Sequence, residues 1–274
     1  MNNLFSLNGK IALITGGGGL LGPQHAEAII EAGGRVILTD WHEDRAANKA
    51  AALNEKYGQG HITQAWHHHM DVTDKSSIEE VLAKHPRVDI LINNAAKDPK
   101  VKKDAGLTVE SRFETMTEEY WKEGIDAALN GTFLCSQVVG NSMLKNGGGV
   151  ILNIASDLGI IAPDQRIYEK NGLEESQQNV KPITYSAAKW AIIGMTKYLG
   201  VYFAKKNIRV NSLSPTAVYN DHPEDFVKKL TNLIPMGRMS NLDEYKGAII
   251  FLCSQASSYM TGENVVIDGG KSVW

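Results

Sequence analysis

The sequence predicts an α/β fold in which a parallel β-sheet is covered by helices on both faces. Short, near-continuous apolar runs, of which Lys10–Thr15 is the first, are typical of strands that are buried on both sides. Segments with helical spacing of apolar residues separate these runs. The runs also end in small or polar residues, as expected where a ligand binds at the carboxyl edge of such a sheet.

The composition is that of an ordinary globular protein. A chain of 274 residues can bury roughly 70 to 75 % of its unfolded surface, so its core needs no disulfides. The content is 43 % hydrophobic and 22 % charged, and the net charge of -3 argues against a nucleic-acid or membrane partner. Cys135 and Cys253 lie in apolar helical patterns and are predicted to be buried free thiols in a reducing compartment. Residues 1–274 contain no repeat, linker, signal peptide or membrane-length apolar run, so one cytoplasmic domain is predicted.

A glycine cluster follows the first strand directly. Gly16–Gly19 is succeeded by Leu21 and Gly22 and then by a helical pattern over Ala26–Ala32. This order of strand, glycine loop and helix predicts a phosphate cradle, because backbone N–H groups and the helix N-terminus both face the loop.

The second strand, Arg35–Asp40, ends in a carboxylate that lies 18 residues past Gly22. An acid at about 20 residues is typical of one that binds a ribose diol. A carboxylate repels a 2′-phosphate and the glycine loop carries no Arg or Lys, so NAD is predicted over NADP. An alternative, compatible interpretation is that Asp40 is a helix N-cap before Glu43.

A third strand is predicted over His61–Met70, followed by Asp71 and by a helix from Lys75 to about His85. The run His67–His69 suggests a metal site. Consecutive strand residues point to opposite faces and do not converge on one ion, so no metal is predicted.

The fourth strand, Val88–Ile92, leads into Asn93–Ala96, whose small and amide-bearing residues suit a backbone that passes close to a ligand. The lysine-rich stretch Lys97–Lys103 is interpreted as a solvated loop. Helical spacing then predicts one long helix over Thr117–Lys145, which Gly147–Gly149 ends.

A fifth strand, Val150–Ala155, places Ser156 at its carboxyl end. In open α/β sheets ligands bind beyond the carboxyl ends of the strands. Five candidate residues are therefore expected at one edge of the sheet: Gly16, Asp40, Asp71, Asn93 and Ser156.

Residues 160–182 show no clear periodicity, and an irregular interval of this length is usually a lid, a binding loop or a disordered segment. The remaining predicted elements are a helix over Ile183–Lys205, a strand over Ile208–Leu213, a break at Ser214–Pro215, a polar mobile segment over Tyr219–Leu233, a helix over Leu242–Cys253 and a strand over Asn264–Ile267.

Tyr185 and Lys189 lie four residues apart in the predicted helix Ile183–Lys205, so their Cβ atoms are expected about 5 to 6 Å apart on one face. Lowering a tyrosine pKa from about 10 to about 7 takes about 4 kcal/mol. A lysine charge about 5 Å away supplies about 3 kcal/mol at an effective dielectric of about 20. The pair is thus a candidate general acid/base, with a bound cationic cofactor supplying the rest. The alternative is a surface helix with an incidental Tyr and Lys.

Together these motifs make the chain, from about Gly9 to its C-terminus, resemble the classical short-chain dehydrogenase/reductase family. The matching pieces are Thr15-Gly16, Asp71-Val72, Asn93-Asn94-Ala95, Ser156 before Leu158-Gly159, Tyr185 with Lys189, Ile208 to Asn211, and Thr261-Gly262 through Asp268-Gly269-Gly270.

The resemblance implies a single Rossmann-type, doubly wound sheet of seven parallel strands, a nicotinamide cofactor and hydride transfer. It implies that Tyr185 is the acid/base, that Lys189 lowers its pKa and holds the nicotinamide ribose, and that Ser156 hydrogen-bonds the substrate oxygen. The cofactor-binding residues expected are Gly16, Gly19, Leu21, Gly22, Asp40, Asp71, Val72, Asn93, Ala95, Tyr185, Lys189, Pro215 and Val218.

The chain departs from the family pattern at four places. Its second loop glycine is Gly19, a spacing typical of nucleotide-sugar-acting relatives, and the family's catalytic Asn is replaced by Ala128. The usual Pro-Gly after the sixth strand is Pro215-Thr216. Ser156 and Tyr185 are 29 residues apart, farther than is usual, so a segment has been added beside the substrate pocket.

The added segment is similar to one in a subgroup from bacterial surface-glycan and flagellin-modification pathways. It suggests a sugar-like or anionic substrate with Arg166 as a candidate contact, although a salt-bridged loop arginine is the alternative.

The sequence therefore predicts an NAD-dependent oxidoreductase for a polar, sugar-derived secondary alcohol or ketone, a small-molecule enzyme that forms homodimers or homotetramers as the family usually does. Two alternatives stay open. One is a nucleotide-sugar epimerase or dehydratase, suggested by Gly19, and the other is a catalytically weak NAD-binding regulatory protein, suggested by Ala128.

Overall fold

A seven-stranded parallel sheet forms the centre of the molecule. A computed structural model describes residues 4–58, 63–97 and 111–274. The strands are β1 (Ile11–Thr15), β2 (Arg35–Asp40), β3 (Ala65–His69), β4 (Ile90–Asn93), β5 (Gly149–Ile154), β6 (Ile208–Pro215) and β7 (Asn264–Ile267). Their order is β3-β2-β1-β4-β5-β6-β7, and every neighbouring pair is parallel. The predicted doubly wound seven-stranded fold is confirmed, with its topological switch between β1 and β4.

Helices cover both faces of the sheet. They are α1 (Gly22–Glu31), α2 (Glu43–Tyr57), α3 (Lys75–Lys84), α4 (Glu118–Ile125), α5 (Gly131–Lys145), α6 (Ile183–Phe203), α7 (Glu224–Thr231) and α8 (Lys246–Cys253). None of them, within the residues that the structure describes, is long and apolar enough to cross a membrane.

Successive strand residues point into two different hydrophobic cores. Ile14 of β1 belongs to the core that contains α1 and α8, with Ile29 and Ile249. Its neighbour Leu13 belongs to the core on the other face, which contains Val139 of α5. This alternation is the two-residue period of a strand that is buried on both sides, and it explains why β1 is apolar from Ile11 to Ile14.

Several predicted boundaries are corrected by the structure. The third strand begins at Ala65 rather than at His61, and His61 itself lies outside the described residues. Ser214–Pro215 is not a break, because both residues continue β6 by pairing with β7. The last helix begins at Lys246, four residues later than predicted. Of the predicted solvated loop Lys97–Lys103, the structure describes only Lys97.

The segment Tyr219–Leu233, predicted to be polar and mobile, contains the helix α7. Its residues Phe226 and Leu230 form a third, small hydrophobic cluster with Ile167 and Tyr168 of the added segment. A helix whose outer face is polar is thus stabilised by a tertiary contact from a distant part of the chain.

Candidate active site

The loop between β1 and α1 packs glycines against one another. Gly16 has a φ of +61°, and a Cβ there would lie 2.9 Å from the Cα of Ala95. A Cβ on Gly22 would lie 2.7 Å from the carbonyl oxygen of Gly16, while the Gly19 N–H closes a turn onto that same oxygen at 3.0 Å. Side chains would fill this cradle, so glycines are needed for the close backbone path.

The N-terminus of α1 faces this cradle and suits an anion. The helix begins at Gly22 with Leu21 as its N-cap residue, has no side-chain cap, and carries no acidic residue in its first turn. Its first N–H groups and its positive dipole end are therefore available to a phosphate. The loop and helix fit the pyrophosphate of a dinucleotide.

Asp40 stands at the edge of the loop. Its Oδ2 accepts a hydrogen bond from the Gly18 N–H at 3.1 Å, and its Oδ1 accepts one from the His42 N–H at 3.0 Å. The N-cap residue of α2 is His42, so Asp40 does not cap that helix. The fold also brings Arg45 of α2 beside the loop, with its Cβ 2.5 Å from where a Cβ on Gly18 would lie. The sequence did not reveal this cation, because it lies outside the loop in the chain.

Asn94 is a loop-organising residue whose role the sequence did not assign. Its side-chain amide donates to the carbonyl oxygens of Thr15 and Gly16, both at 3.0 Å. The Thr15 hydroxyl in turn accepts from the N–H groups of Asn94 and Ala95, each at 3.0 Å. These bonds fasten the end of β4 to the start of the glycine loop.

The side chain of Asn93 points into the interior. It is buried and donates to the Ser136 hydroxyl at 3.0 Å and to the Asn153 side chain at 2.8 Å. Within the described residues its side-chain oxygen has no hydrogen-bond partner, and its cofactor role stays a prediction.

Asp71 and Val72 have local structural partners. The Asp71 carboxylate accepts from both the N–H and the hydroxyl of Thr73, at 2.8 and 2.7 Å. Val72 packs closely on α5, since a Cβ on Gly131 would lie 2.5 Å from a Val72 methyl carbon. Their predicted contacts with a cofactor are not tested by these bonds.

The predicted catalytic groups gather at the carboxyl end of β5. Tyr185 and Lys189 lie on α6, and the buried Lys189 ammonium is 5.7 Å from the centre of the Tyr185 ring. It donates to the carbonyl oxygen of Ile154, the last residue of β5, at 2.6 Å. Ser156 follows two residues later and is buried at the same end of the strand. The structure thus brings Lys189 and Ser156 to the same end of β5, with Tyr185 beside Lys189, as the predicted acid/base chemistry requires.

Ser156 is bonded to a residue that the sequence did not single out. Its hydroxyl donates to Asp157 Oδ1 at 2.9 Å and accepts from the Leu158 N–H at 3.2 Å. The other carboxylate oxygen of Asp157 accepts from the Thr216 hydroxyl at 2.8 Å and from the Lys271 ammonium at 2.9 Å. A buried ion pair therefore lies directly behind the serine.

Pro215 and Val218 lie after the same edge of the sheet. Pro215 is the last residue of β6 and pairs with Ile267 of β7. Val218 is buried and forms an isolated bridge with Ser240. Their predicted position beside a nicotinamide is compatible with this placement.

A π-helical turn, Asp126–Asn130, joins α4 to α5 at the position of the missing catalytic Asn. Ala128 is buried there, and its carbonyl oxygen accepts from the Thr132 hydroxyl at 2.7 Å. Asn130 is exposed and donates to Asp126 at 2.5 Å, so it does not replace the missing amide. The single helix predicted over Thr117–Lys145 is therefore two α-helices separated by this turn.

The added segment is ordered by two glutamine side chains. Gln165 accepts from the N–H of Lys181 at 2.8 Å and donates to its carbonyl oxygen at 3.2 Å. Gln178 bonds both backbone groups of Lys170 and also donates to the Leu173 carbonyl oxygen. The segment is a closed loop that ends directly before α6, the helix of Tyr185 and Lys189.

The same loop is attached to α7. The rings of Tyr168 and Phe226 have centroids 5.5 Å apart, and Lys229 donates to the Glu169 carbonyl oxygen at 2.6 Å. These contacts join two chain segments that flank the carboxyl edge of the sheet.

Arg166 binds within its own loop. Its guanidinium makes a bidentate pair with Asp164, at 2.9 and 2.7 Å, and its side chain is 80 % exposed. This geometry agrees with the salt-bridged alternative, and contact with a substrate stays a prediction. The Lys181 ammonium of the same segment lies 4.0 Å from the centre of the ring of Tyr185, the predicted acid/base.

The histidine run lies on β3, where His69 pairs with Asp40 of β2, and the two cysteines lie in the hydrophobic cores. His68 contacts His85 through their Nε2 atoms at 2.8 Å, and the described part of the chain contains no group of three or more His, Cys, Asp or Glu side chains placed to hold a metal. Cys135 and Cys253 are buried free thiols as predicted, and burial raises the pKa of each to about 12. Such thiols are unreactive at neutral pH.

Comparison with known proteins identifies similar sequences and folds. A family model described as enoyl-(acyl carrier protein) reductase matches residues 20–272. The chain is 32 % identical over 278 residues to the NAD-dependent glycerol dehydrogenase of Listeria innocua serovar 6a, covering 98 % of this chain and 96 % of that protein. It is 33 % identical over 281 residues to the D-threitol dehydrogenase of Mycolicibacterium smegmatis, covering 98 % and 95 % of the two chains. A gluconate 5-dehydrogenase from Burkholderia cenocepacia, solved with NADP and tartrate, superposes with a TM-score of 0.82 at 27 % identity, covering 99 % and 98 % of the two chains.

Proposed function

Because the chain belongs to the classical short-chain dehydrogenase/reductase family, whose members act as oxidoreductases on alcohols, we propose that it transfers a hydride between NAD and a polar, sugar- or polyol-derived secondary alcohol or ketone. The observation that carries the proposal is the gathering of Ser156, Tyr185 and Lys189 at the carboxyl end of β5, with Lys189 anchored on the Ile154 carbonyl oxygen. The glycine cradle at the neighbouring end of β1 supports a dinucleotide as the cofactor.

Tyr185 is the proposed proton donor and acceptor. When bound, the nicotinamide supplies or accepts the hydride. In the oxidative direction the tyrosinate oxygen of Tyr185 takes the proton from the alcohol, and in the reductive direction its hydroxyl gives a proton to the carbonyl oxygen. Lys189 places a positive charge behind the ring, which favours the tyrosinate, and Ser156 orients the substrate oxygen by a hydrogen bond.

NAD is proposed over NADP because the Asp40 carboxylate is held at the glycine loop. A carboxylate there accepts hydrogen bonds from ribose hydroxyls and repels a 2′-phosphate. The glycerol dehydrogenase relative is named as NAD-dependent, whereas the gluconate 5-dehydrogenase was solved with NADP. Arg45, beside Gly18, is the cation that a 2′-phosphate would meet here, so the balance between Asp40 and Arg45 sets the preference.

A polar substrate is proposed because the named relatives act on glycerol and threitol. The added segment, which is joined to α7 through Tyr168 and Phe226, is proposed to form a wall of the substrate site and to set its specificity. A place in a surface-glycan or flagellin-modification pathway, and in the cytoplasm, stays a prediction.

A homodimer or homotetramer, with the whole chain as one dinucleotide-binding domain, is also proposed. Large apolar and aromatic side chains along the outer face of α6 are exposed, among them Trp190, Tyr198, Val201 and Tyr202. Exposed apolar surface of this kind is typical of a protein interface.

The proposal is tested with the purified full-length chain, NAD and NADP, and a panel of polyols, aldonates and the corresponding ketones, by following cofactor absorbance. We expect turnover with NAD and at least one polyol or aldonate, and loss of that turnover in Tyr185→Phe. Cofactor binding without turnover across the panel would refute the oxidoreductase proposal and favour the regulatory alternative.

A further inference from the structure

A buried charge lies directly beside the catalytic serine. The side chain of Asp157 is 4 % exposed and that of its partner Lys271 is 9 % exposed. Burying two charges is costly unless they are paired and their remaining hydrogen-bonding positions are filled. Both oxygens of Asp157 meet this condition: Ser156 and the Leu158 N–H bond Oδ1, while Thr216 and Lys271 bond Oδ2.

The partners of Asp157 come from distant parts of the chain. Thr216 follows β6 and stands where the family pattern has a glycine, and Lys271 is 114 residues from Asp157, in the last residues of the chain. The Asp268 carboxylate holds the C-terminal turn by accepting from the N–H groups of Gly270 and Ser272, at 2.9 and 2.7 Å. The threonine departure therefore has a structural reason, since its hydroxyl occupies a position on the buried carboxylate.

We propose that Asp157, held by Thr216 and neutralised by Lys271, is a positioning residue: in the free enzyme it fixes the χ1 angle and so the oxygen position of Ser156, and the hydroxyl hydrogen turns from Asp157 to the substrate oxygen when substrate binds. This inference rests on the proposed function of Ser156. A serine hydroxyl has three staggered χ1 positions. The bond to Asp157 Oδ1 together with the bond from the Leu158 N–H selects one of them.

Lys271 is needed because an unneutralised carboxylate would act against the reaction. Negative charge passes between the substrate oxygen and Tyr185 during hydride transfer, and a bare anion next to Ser156 would repel it. With Lys271 at 2.9 Å, the pair presents an acceptor for the serine hydroxyl without a net charge.

Two charge-neutral double variants separate positioning from packing. Asp157→Asn with Lys271→Met keeps an oxygen acceptor for Ser156, because the amide nitrogen can face the Thr216 hydroxyl, which accepts as well as donates. Asp157→Leu with Lys271→Met has a side chain of similar size and no acceptor. The single variant Lys271→Met leaves the carboxylate unpaired.

We expect kcat of the Leu double variant to be about 10- to 100-fold below that of the Asn double variant, with the KM for NAD unchanged, because a misplaced catalytic group costs about that much. The single variant Lys271→Met should lose activity that the addition of Asp157→Asn restores. Lys246→Met is the matched control, since it removes a partly buried ion pair with Glu27 that makes no contact with Ser156. It should lower the Tm and leave kcat unchanged.

Crystal structures of the two double variants test the inference without turnover. The Ser156 hydroxyl should keep its orientation in the Asn variant and leave it in the Leu variant. Equal kcat values for the two double variants, or an unchanged Ser156 orientation in the Leu variant, would overturn the positioning role. Inactivity of the unmodified enzyme on every substrate would refute the proposed function instead, and the crystallographic comparison would still decide the role of Asp157.

Discussion

The replacement Asp40→Ala should change the choice of cofactor. The carboxylate is fixed at the glycine loop by its bonds to the Gly18 and His42 N–H groups, so its charge has a defined place beside the expected ribose. We expect the ratio of kcat/KM with NADP to kcat/KM with NAD to rise, because the substitution removes both a repulsion and a hydrogen-bond acceptor.

The size of the effect follows from these two contributions. Two unit charges about 5 Å apart interact by about 3 kcal/mol at an effective dielectric of about 20. Partial exposure of Asp40 and screening by salt reduce this to about 1.5 kcal/mol, or about tenfold, for each charge of a 2′-phosphate. Loss of the charged acceptor costs NAD about another 1.5 kcal/mol. The ratio should therefore increase by about 100-fold or more.

Arg45 provides a second variant for the same experiment. Its position beside Gly18 allows it to contact a 2′-phosphate once the Asp40 charge is gone. Adding Arg45→Ala to Asp40→Ala should lower kcat/KM with NADP about fivefold relative to Asp40→Ala alone, as expected for a partly exposed ion pair. Lys49→Ala, one turn farther along α2, is the matched control and should leave kcat/KM with NADP unchanged.

The assay is steady-state kinetics with both cofactors at a saturating concentration of the polyol or ketone substrate. An unchanged NADP to NAD ratio in Asp40→Ala would show that this carboxylate does not face the ribose. An equal effect of Arg45→Ala and Lys49→Ala would show that net charge, rather than a local contact, governs NADP binding.

Three further variants test other parts of the structure. Tyr185→Phe should lower kcat by about 10³-fold or more while leaving NADH affinity intact, because it removes the acid/base oxygen, and Tyr198→Phe on the same helix is the control. Burial lowers the pKa of His25 from 6.5 to about 4, and Asn94 offsets only part of that shift. Between these two pH values the unfolded chain binds more protons than the folded chain, so the free energy of unfolding should fall by about 3 kcal/mol as the pH drops from about 6.5 to 4. The variant His25→Leu should not show this loss. Tyr168→Ala should raise the KM for the alcohol about tenfold through loss of the contact with Phe226, and leave the KM for NAD unchanged.

Each of these predictions has an outcome that contradicts it. Substantial turnover in Tyr185→Phe would remove that residue from the proton transfer, as measured by kcat and by NADH fluorescence titration. The free energy of unfolding is measured with urea at pH 7, 5.5 and 4.5. An equal dependence of this free energy on pH in the parent chain and in His25→Leu would contradict a neutral buried histidine. A rise in the KM for NAD in Tyr168→Ala would mean that the added segment supports the cofactor site rather than the substrate site.

The sheet was the most predictable part of the molecule, for a physical reason. Strands β2 and β7 have the predicted bounds, Arg35–Asp40 and Asn264–Ile267. The four central residues of β2, Val36–Thr39, are buried and mostly apolar, as expected of a strand covered on both faces, and Gly33–Gly34 marks its start. Information of this kind is local, so a single sequence contains it.

The errors occurred where distant contacts decide the structure. β6 continues to Pro215 because β7 lies beside it, and a proline at the end of a strand loses only a donor that the ladder does not use there. The helix α7 is stabilised by the contact of Phe226 with Tyr168, 58 residues earlier in the chain. Neither partner could be identified from periodicity.

The candidate site divides in the same way. Ser156, Tyr185 and Lys189 were predicted from spacing and from family resemblance, and they come together in the structure. The ion pair of Asp157 with Lys271 was not predicted, because a lysine near the end of a chain gives no local sign that it is buried. Residues that contact reacting groups form part of a recognisable sequence motif, whereas the residues that position them can be identified only once the fold brings them together.

The path of the chain at Ala128 is set by packing that its side chain does not make. Two close glycine contacts fix that path on either side of the π-helical turn. A Cβ on Gly124 would lie 2.7 Å from the side chain of Thr184, on α6, and a Cβ on Gly131 would lie 2.5 Å from Val72. The turn is therefore held between α6 and the loop after β3 by packing that does not involve Ala128. A proton relay at this site would have to use groups other than the side chain of residue 128, and the proposed ones are Ser156, Tyr185 and Lys189, whose observed contacts do not involve Ala128.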